Sequence, residues 1–496
     1  MEMAATILVC LVLILPTVAG VTEGCCEDLS KTLGSKVSYP ASAAYNASIA
    51  SFWSQQEQLI TPSCVVSAKS VQDVSNAMRV LGPKSCKFAV RSGGHAALAG
   101  SANIQDGVTI DLSGLDWIHP FSNHSLVSIG PGQTWGKVYS SLDALGVSVP
   151  GGRDGPVGVG GTTLGGGFGY FATKAGFACN NIVAYELVLA NGTVVNATRS
   201  RYSDLWMALK GGSNSFGIVT NFVFQTFPLG AIWGGDIYYN ISTIDAQLEA
   251  FYRFTSNPSY DTNAGLLHNF AYTPEVGPLI VNQYAYAKPD PNPATFRAFI
   301  LLQPQISNTT QVSSLETLSV NAGKASPNSF QQITFAVTFT NELAMLQELF
   351  TIWNSSTSEV SAVAGIKWSL TLVPIVPAIT FHSAIKGSDV LGLSVPPQGL
   401  VLTLLSASFN SSDDYSMVNR VANRLSDKII RTAKEFGVYN TYVDLNHGAA
   451  WQDPIASYGS ESVAFLQRTA QKYDPTGVFQ TQCPGGFKVF GLERNV

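Results

Sequence analysis

The sequence predicts an α+β protein in two parts: a first part of short strands, helices and glycine turns, and a second made of an antiparallel sheet backed by helices. Three observations predict it. Between about residues 60 and 228, short apolar runs bounded by glycine and polar residues alternate with apolar residues at helical spacing. After Pro228 the texture changes to longer alternating strands and amphipathic helices. Finally, a chain of 496 residues, 46% hydrophobic and only 12% charged, can bury a large core and has room for two or three domains.

In chain order, residues 1–20 hold the apolar run "AATILVCLVLILPTVAG", closed by small residues near Ala19 and Gly20. It reads as a signal segment and cleavage site, and is shorter than the roughly 20 residues that span a bilayer. Glu2 stands where a basic residue is usual. The first part, residues 21–228, has β-like runs at Cys64–Ser67, Phe88–Arg91, Val108–Asp111, Val127–Ile129, Val183–Leu189 and Ile218–Phe224. A helix is predicted in "AKSVQDVSNAMRVLG", and another over Thr134–Gly146, with a capping threonine at its start and a stopping glycine at its end. The second part, residues 229–435, has strands in "LIVNQYAYAKP" and "KWSLTLVPIVP" and helices in "ELAMLQELFTIW" and "MVNRVANRLSDKIIRTAKEFG". Residues 436–496 are too short to fold alone and are expected to pack back on the first part.

A formal charge of −5 without a Lys/Arg block argues against nucleic acid as a partner. Histidines are few and scattered, with no HExxH and no CxxC pair, so no metal site is expected. Neither a GxSxG elbow nor a GxxxxGK[ST] loop is present. Asn46, Asn123, Asn191, Asn196, Asn240, Asn308, Asn354 and Asn410 each begin an N-x-[ST] sequon, in keeping with a secreted, N-glycosylated protein. Without Cys10, an even set remains: Cys25, Cys26, Cys64, Cys86, Cys179 and Cys483. Cys64 and Cys86 flank one helical stretch and are the expected disulfide; the other pairings stay open.

Two glycine-rich loops carry the chemistry. In "RSGGHAALAG", Arg91–Gly100, His95 follows twin glycines on a turn directly after a strand. In "VPGGRDGPVGVGGTTLGGGFGYFATKAGFACNNIVAYELVLANG", Val149–Gly192, Gly167, Gly169 and Ala172 meet GxGxxA, but no strand precedes them and no acidic residue follows at the expected distance. Glycine at this density costs chain entropy, so the plain reading of tight turns competes with backbone that approaches a large flat cofactor closely. Free N–H groups in loops with no lysine suit a pyrophosphate held by amides alone. A lone histidine on a turn is ordinarily a satisfied polar residue; beside a diphosphate cradle, its imidazole can bond covalently to the cofactor.

With "FAVRSGGHAALAGSANIQDGVTIDLSGL", "VSIGPGQTWGKVYSSL", "LWMALKGGSNSFGIVT" and "QDPIASYG…YDPTGVFQ", these segments resemble the FAD-linked oxidoreductases of the vanillyl-alcohol oxidase (PCMH) type, berberine-bridge-enzyme-like branch, especially secreted fungal members. The resemblance implies a two-subdomain FAD-binding module over residues 21–228, a substrate domain over 229–435, and a C-terminal segment packed on the first. It makes His95 the attachment point to the flavin 8α-methyl carbon. Backbone of Ser92, Gly93 and Gly94 would cradle the pyrophosphate, with Arg91 and Ala96 as further cofactor-binding residues. The turn from Val157 to Gly161, with Gly158 and Gly160, would lie along the flavin ring and Ile218 and Val219 near the adenosine half, while Asp154, Thr162, Gly167 and Gly217 complete the expected cofactor-binding set. Asp154 occupies the place of a second, cysteine attachment in many relatives, so one covalent bond is expected. Thr162 replaces a frequent histidine, and Val157 matches members that react with oxygen. His447 stands where relatives often have tyrosine and is the candidate base, with Asn446 and Tyr442 as neighbours and His268, Asn282, Gln283 and Tyr284 as further candidates; a surface histidine beside Gly448 is the bland alternative.

The expected activity is a monomeric, secreted oxidase with singly attached FAD, taking hydride from a small metabolite and passing electrons to O2, with cyclisation of the product in the same pocket an extension. No membrane partner is expected. A carbohydrate oxidase is the alternative, with Trp368, Tyr284 and Tyr286 as candidate sugar platforms. A flavin-retaining protein without turnover is the third reading.

Overall fold

The computed structural model describes residues 19–491; most of the predicted signal segment lies outside them. In the first part, β1 (Val37–Ser38), β2 (Cys64–Ser67), β3 (Phe88–Arg91) and β4 (Val108–Asp111) form a sheet in the order β1-β2-β4-β3. Both β2 and β3 run parallel to β4. The connection from β2 to β3 is the helix Val71–Leu81, capped by the Ser70 side chain, which accepts from the Asp73 N–H. Val74, Ala77, Met78 and Leu81 recur at helical spacing and are fully buried against the sheet.

The next elements are β5 (Ile118–Pro120), β6 (Leu126–Ile129), β7 (Val147–Ser148), β8 (Ile182–Val188), β9 (Val194–Thr198), β10 (Ile218–Gln225) and β11 (Phe227–Pro228). Five of them make an antiparallel sheet ordered β5-β6-β10-β8-β9, while β7 pairs β11. The helix Trp135–Asp143 packs Trp135, Val138 and Leu142 into the same core.

A nine-stranded sheet begins just past Pro228 with β12 (Ile232–Asn240), β13 (Ala264–Thr273), β14 (Gly277–Tyr286), β15 (Gln305–Asn308), β16 (Gln311–Ser313), β17 (Gln331–Thr340), β18 (Lys367–Ile375), β19 (Leu400–Phe409) and β20 (Tyr439–Asn440). Its pairings are all antiparallel. The period of two sorts its side chains. On β17, Ile333, Phe335, Val337 and Phe339 face the helices Leu343–Val360 and Tyr415–Glu435, while Ala336 joins the core shared with the first part. The C-terminal segment returns to the first part, where Gln482 donates to the Gly82 carbonyl and Asn214 to that of Gly485.

The expected Cys64–Cys86 pair is corrected. Cys64 on β2 and Phe88 on β3 both register with Val108 of β4, the strand that lies between them. Two strand spacings, about 9–10 Å, exceed the reach of a disulfide. Each cysteine instead meets the helix Ala19–Leu33, giving Cys25–Cys86 and Cys26–Cys64; Cys179 and Cys483 are free and buried. The double replacement Cys26→Ser, Cys64→Ser should lower the unfolding free energy by about 2–4 kcal/mol, since the closed loop is long. Denaturant titration checks this, and a change smaller than about 0.5 kcal/mol would mean the bond contributes nothing.

Candidate active site

Where the first part meets the large sheet and the C-terminal segment lies a cleft of about 330 Å³. One wall is the loop after β3. Its backbone N–H groups from Gly93 to Ala97 have no acceptor among the described residues, which leaves a row of donors for an anion. The opposite wall is the Asp154–Thr162 stretch. The two walls touch through glycine: a Cβ on Gly93 would lie 2.4 Å from the Gly158 Cα, and one on Gly158 would lie 2.5 Å from the Gly93 Cα. Ser92 completes the seam by donating to the Pro131 carbonyl and accepting from the Gly160 N–H at 3.1 Å. A Cβ on Gly161 would meet open space, so that backbone presents an uncovered surface. Free amides on one wall and bare backbone on the other fit a diphosphate joined to a flat ring, as in FAD.

His95 projects from the first wall with its ring stacked on Trp53, centroids 4.1 Å apart and planes 10° off parallel. Among the described residues nothing hydrogen-bonds to its imidazole. Burial, and secondarily the charge of His447, pulls its pKa down to about 3, so the ring is neutral and a nitrogen lone pair is free.

Across the cleft, the single turn Leu445–His447 brings Asp444 and His447 together. His447 Nδ1 lies 2.7 Å from the Asp444 Oδ2; the carboxylate is 3% exposed and the imidazole 28%. Pairing Nδ1 with a carboxylate favours the tautomer whose Nε2 is bare toward the cleft. Tyr442 does not line the cleft but lies behind, its hydroxyl 3.5 Å from Asp444 Oδ1. Asn446 donates to the Thr162 carbonyl at 3.1 Å and ties this turn to the glycine wall. Asp154 also lines the cleft; burial raises its pKa against the opposing charges of Arg153 and His447.

Of the residues expected from sequence, Ser92, Gly93, Gly94, His95, Ala96, Asp154, Val157, Gly158, Gly160, Gly161, Thr162, Gly217, Ile218, Val219, Asn446 and His447 all line this one cleft. Three do not. Arg91 ends β3 pointing away, over the Phe52 ring at 4.2 Å, donating to Ser48 and Ser51 and facing Asp111 at 3.4 Å. It braces the loop from behind. Gly167 is a packing glycine at φ +79°, where a Cβ would meet Ala178 at 2.6 Å. Tyr442 is the third. Strand alternation divides the remaining candidates: Gln283 faces the first part and accepts from the Tyr170 hydroxyl, whereas His268, Asn282 and Tyr284 are buried in a hydrogen-bonded cluster on the helix side. Trp368, Tyr284 and Tyr286 are likewise buried there, so none of them offers a platform in the cleft.

Asp444 was not singled out by sequence, although its spacing of three from His447 suits a helical turn. Glu57 was missed as well. It is fully buried beneath the loop that follows His95 and accepts from the Ala102 N–H; burial pushes its pKa from 4.5 to about 7. Between those values the folded protein holds a proton that the unfolded chain releases, so stability falls as pH rises through this window, by on the order of 3 kcal/mol. Glu57→Gln should flatten that slope in denaturant unfolding at pH 4.5 and 7.5. An unchanged slope would show that Glu57 does not cause it.

A family model described as an FAD binding domain matches residues 62–198. The FAD-dependent monooxygenase sdcF of Emericella nidulans is 37% identical over 479 residues, spanning 95% of this chain and 99% of that protein. Among solved structures, 6-hydroxy-D-nicotine oxidase from Arthrobacter nicotinovorans superposes with a TM-score of 0.74 at 20% identity, over 90% of this chain and 96% of that one. Xylooligosaccharide oxidase from Myceliophthora thermophila gives 0.75 at 18% identity, over 95% and 99%. At these identities the two structures speak for the fold alone.

Proposed function

The chain belongs to the FAD-dependent oxidoreductases, and from that premise we propose an oxidase of the vanillyl-alcohol oxidase, berberine-bridge-like type, joined to FAD through His95 alone and acting on a small metabolite at a carbon bearing a hydroxyl, an amine or an activated ring. The observation that carries this reading is the pair of unlike imidazoles in one cleft. His95 is neutral and has no hydrogen-bond partner among the described residues, while His447 is oriented by a buried carboxylate. When bound, FAD supplies a two-electron acceptor that dioxygen reoxidises, with release of H2O2.

The residues divide the remaining work. The N–H groups of Gly93 to Ala97 would hold the diphosphate, and the uncovered Gly158–Gly161 backbone would receive the flavin ring. The bare Nε2 of His447 takes the hydroxyl or phenol proton of the substrate, and Asp444 stabilises the imidazolium that results. Asn446 fixes the turn that carries His447. Asp154, whose carboxyl cannot form a thioether, leaves His95 as the single attachment. Secretion and N-glycosylation belong to the same proposal; two disulfides and the exposure of all eight sequon asparagines support them.

The Emericella relative's name as a monooxygenase favours a second reading, in which an oxygen atom enters the product. The carbohydrate alternative is weakened by the burial of its three candidate platforms. One experiment separates these readings: oxygen uptake by the purified protein on a panel of alcohols, amines, phenols and oligosaccharides, with H2O2 and 18O incorporation measured together. One H2O2 per O2 and no label in the product is the expected result. Labelled product would replace the oxidase reading with the monooxygenase one, and a colourless, inert protein would end both.

A further inference from the structure

His95 lies in a loop tied down from behind by residues 52–58. The Trp53 N–H donates to the Gly94 carbonyl, Ser54 Oγ to that of Ala96 and Gln56 Nε2 to that of Ala97. These bonds fix the loop's backbone and leave the imidazole free to rotate about its side-chain bonds. With no hydrogen bond to the ring among the described residues, the contact that sets its plane is the parallel face of Trp53 at 4.1 Å. The indole is itself held, because its Nε1 donates to the Ser326 carbonyl at 3.1 Å on the segment leading into β17. The same region receives a second tie, Gln56 to the Gln332 carbonyl at 2.7 Å. Trp53 thus joins the His95 ring to the segment that leads into β17, the strand whose Thr334 also lines the cleft.

We propose that Trp53 is the positioning residue for His95, its indole face fixing the imidazole plane so that a ring nitrogen meets the cofactor's methyl carbon along its lone pair. This rests on the reading that the chain binds FAD and joins it at His95. The bond formed is C–N. The imidazole N–H hydrogen and one methyl hydrogen leave with two electrons, and dioxygen takes them up as H2O2, so no further oxidant is needed. A stacked ring loses little entropy on reaching that geometry, whereas a ring free to turn samples it rarely. The indole also excludes water from one imidazole face, consistent with burial as the main cause of the ring's neutrality.

The test compares wild type, Trp53→Phe, Trp53→Leu and His95→Ala, each expressed with flavin limiting and then incubated aerobically with FAD. In-gel flavin fluorescence after denaturation gives the covalent fraction over time, and total flavin and thermal melting are measured on the same samples. Trp53→Leu should bind FAD but attach it roughly ten-fold more slowly, and Trp53→Phe, which keeps a flat face, should recover most of the rate. If the leucine variant does not fold, Trp53→Met fills similar space without a ring face and is held to the same expectation. Wild-type attachment rates in the leucine or methionine variant, with bound flavin and melting unchanged, would overturn the proposal. Covalent flavin persisting in His95→Ala, or no flavin in wild type, would overturn it together with the reading beneath it; those results are distinct from a rate change confined to position 53.

Discussion

His95→Ala should yield a protein that still binds FAD but surrenders all of it to acid or detergent. The amide row from Gly93 to Ala97 is backbone and survives the substitution, so the diphosphate cradle remains. What is lost is the one neutral nucleophile on that wall. Asp154, across the cleft, cannot substitute for it. Neither free cysteine lines the cleft either, since Cys179 and Cys483 are buried elsewhere. In-gel fluorescence should therefore fall from one flavin per chain to background. Thermal melting gives an independent sign. A dissociable ligand stabilises by RT ln(1 + [L]/Kd), about 2.7 kcal/mol at a hundred-fold excess over Kd, so the melting temperature of the variant should climb with added FAD. Under the proposed attachment wild type keeps its cofactor covalently and should not respond. Fluorescence that survives denaturation in the variant, or melting of wild type that tracks free FAD, would refute attachment at this residue.

The strands and both walls of the cleft were legible in sequence because local rules dominate there. β2, β3 and β4 begin and end where the apolar runs do, and the twin-glycine loop falls directly after β3, where a tight backbone seam needs residues without Cβ. Errors arose where a side chain's direction decides the outcome. Arg91 is adjacent to the loop in sequence, but strand alternation turns it to the opposite face. The same period splits Gln283 from Asn282 and Tyr284, neighbours that sequence alone had grouped. Cys64 and Cys86 look paired until a strand is seen to lie between them. Trp53 left no signal: β2, the helix Val71–Leu81 and β3 separate it from His95, and the two rings meet only through tertiary packing. Asp444 did leave one, a carboxylate three residues before a histidine, whose meaning depended on a turn too short to show as a helix.

Removing that carboxylate's function is the second large effect. His447→Ala should lower kcat/KM by roughly 10²–10⁴ on whichever substrate the peroxide assay identifies, the range for loss of a positioned proton acceptor. Asp444→Asn is the sharper test because it alters size hardly at all. An amide at this buried position can donate to Nδ1, which would leave the proton on Nε2 and present a donor to the cleft in place of an acceptor. The prediction is a loss of at least roughly ten-fold in kcat/KM with flavin content, melting temperature and FAD attachment unchanged, because Asp444 lies on the wall opposite the amide row. Activity within about three-fold of wild type in both variants would assign the proton to another acceptor, and Asp154 is the remaining carboxyl on the cleft close enough to His447 to feel its charge.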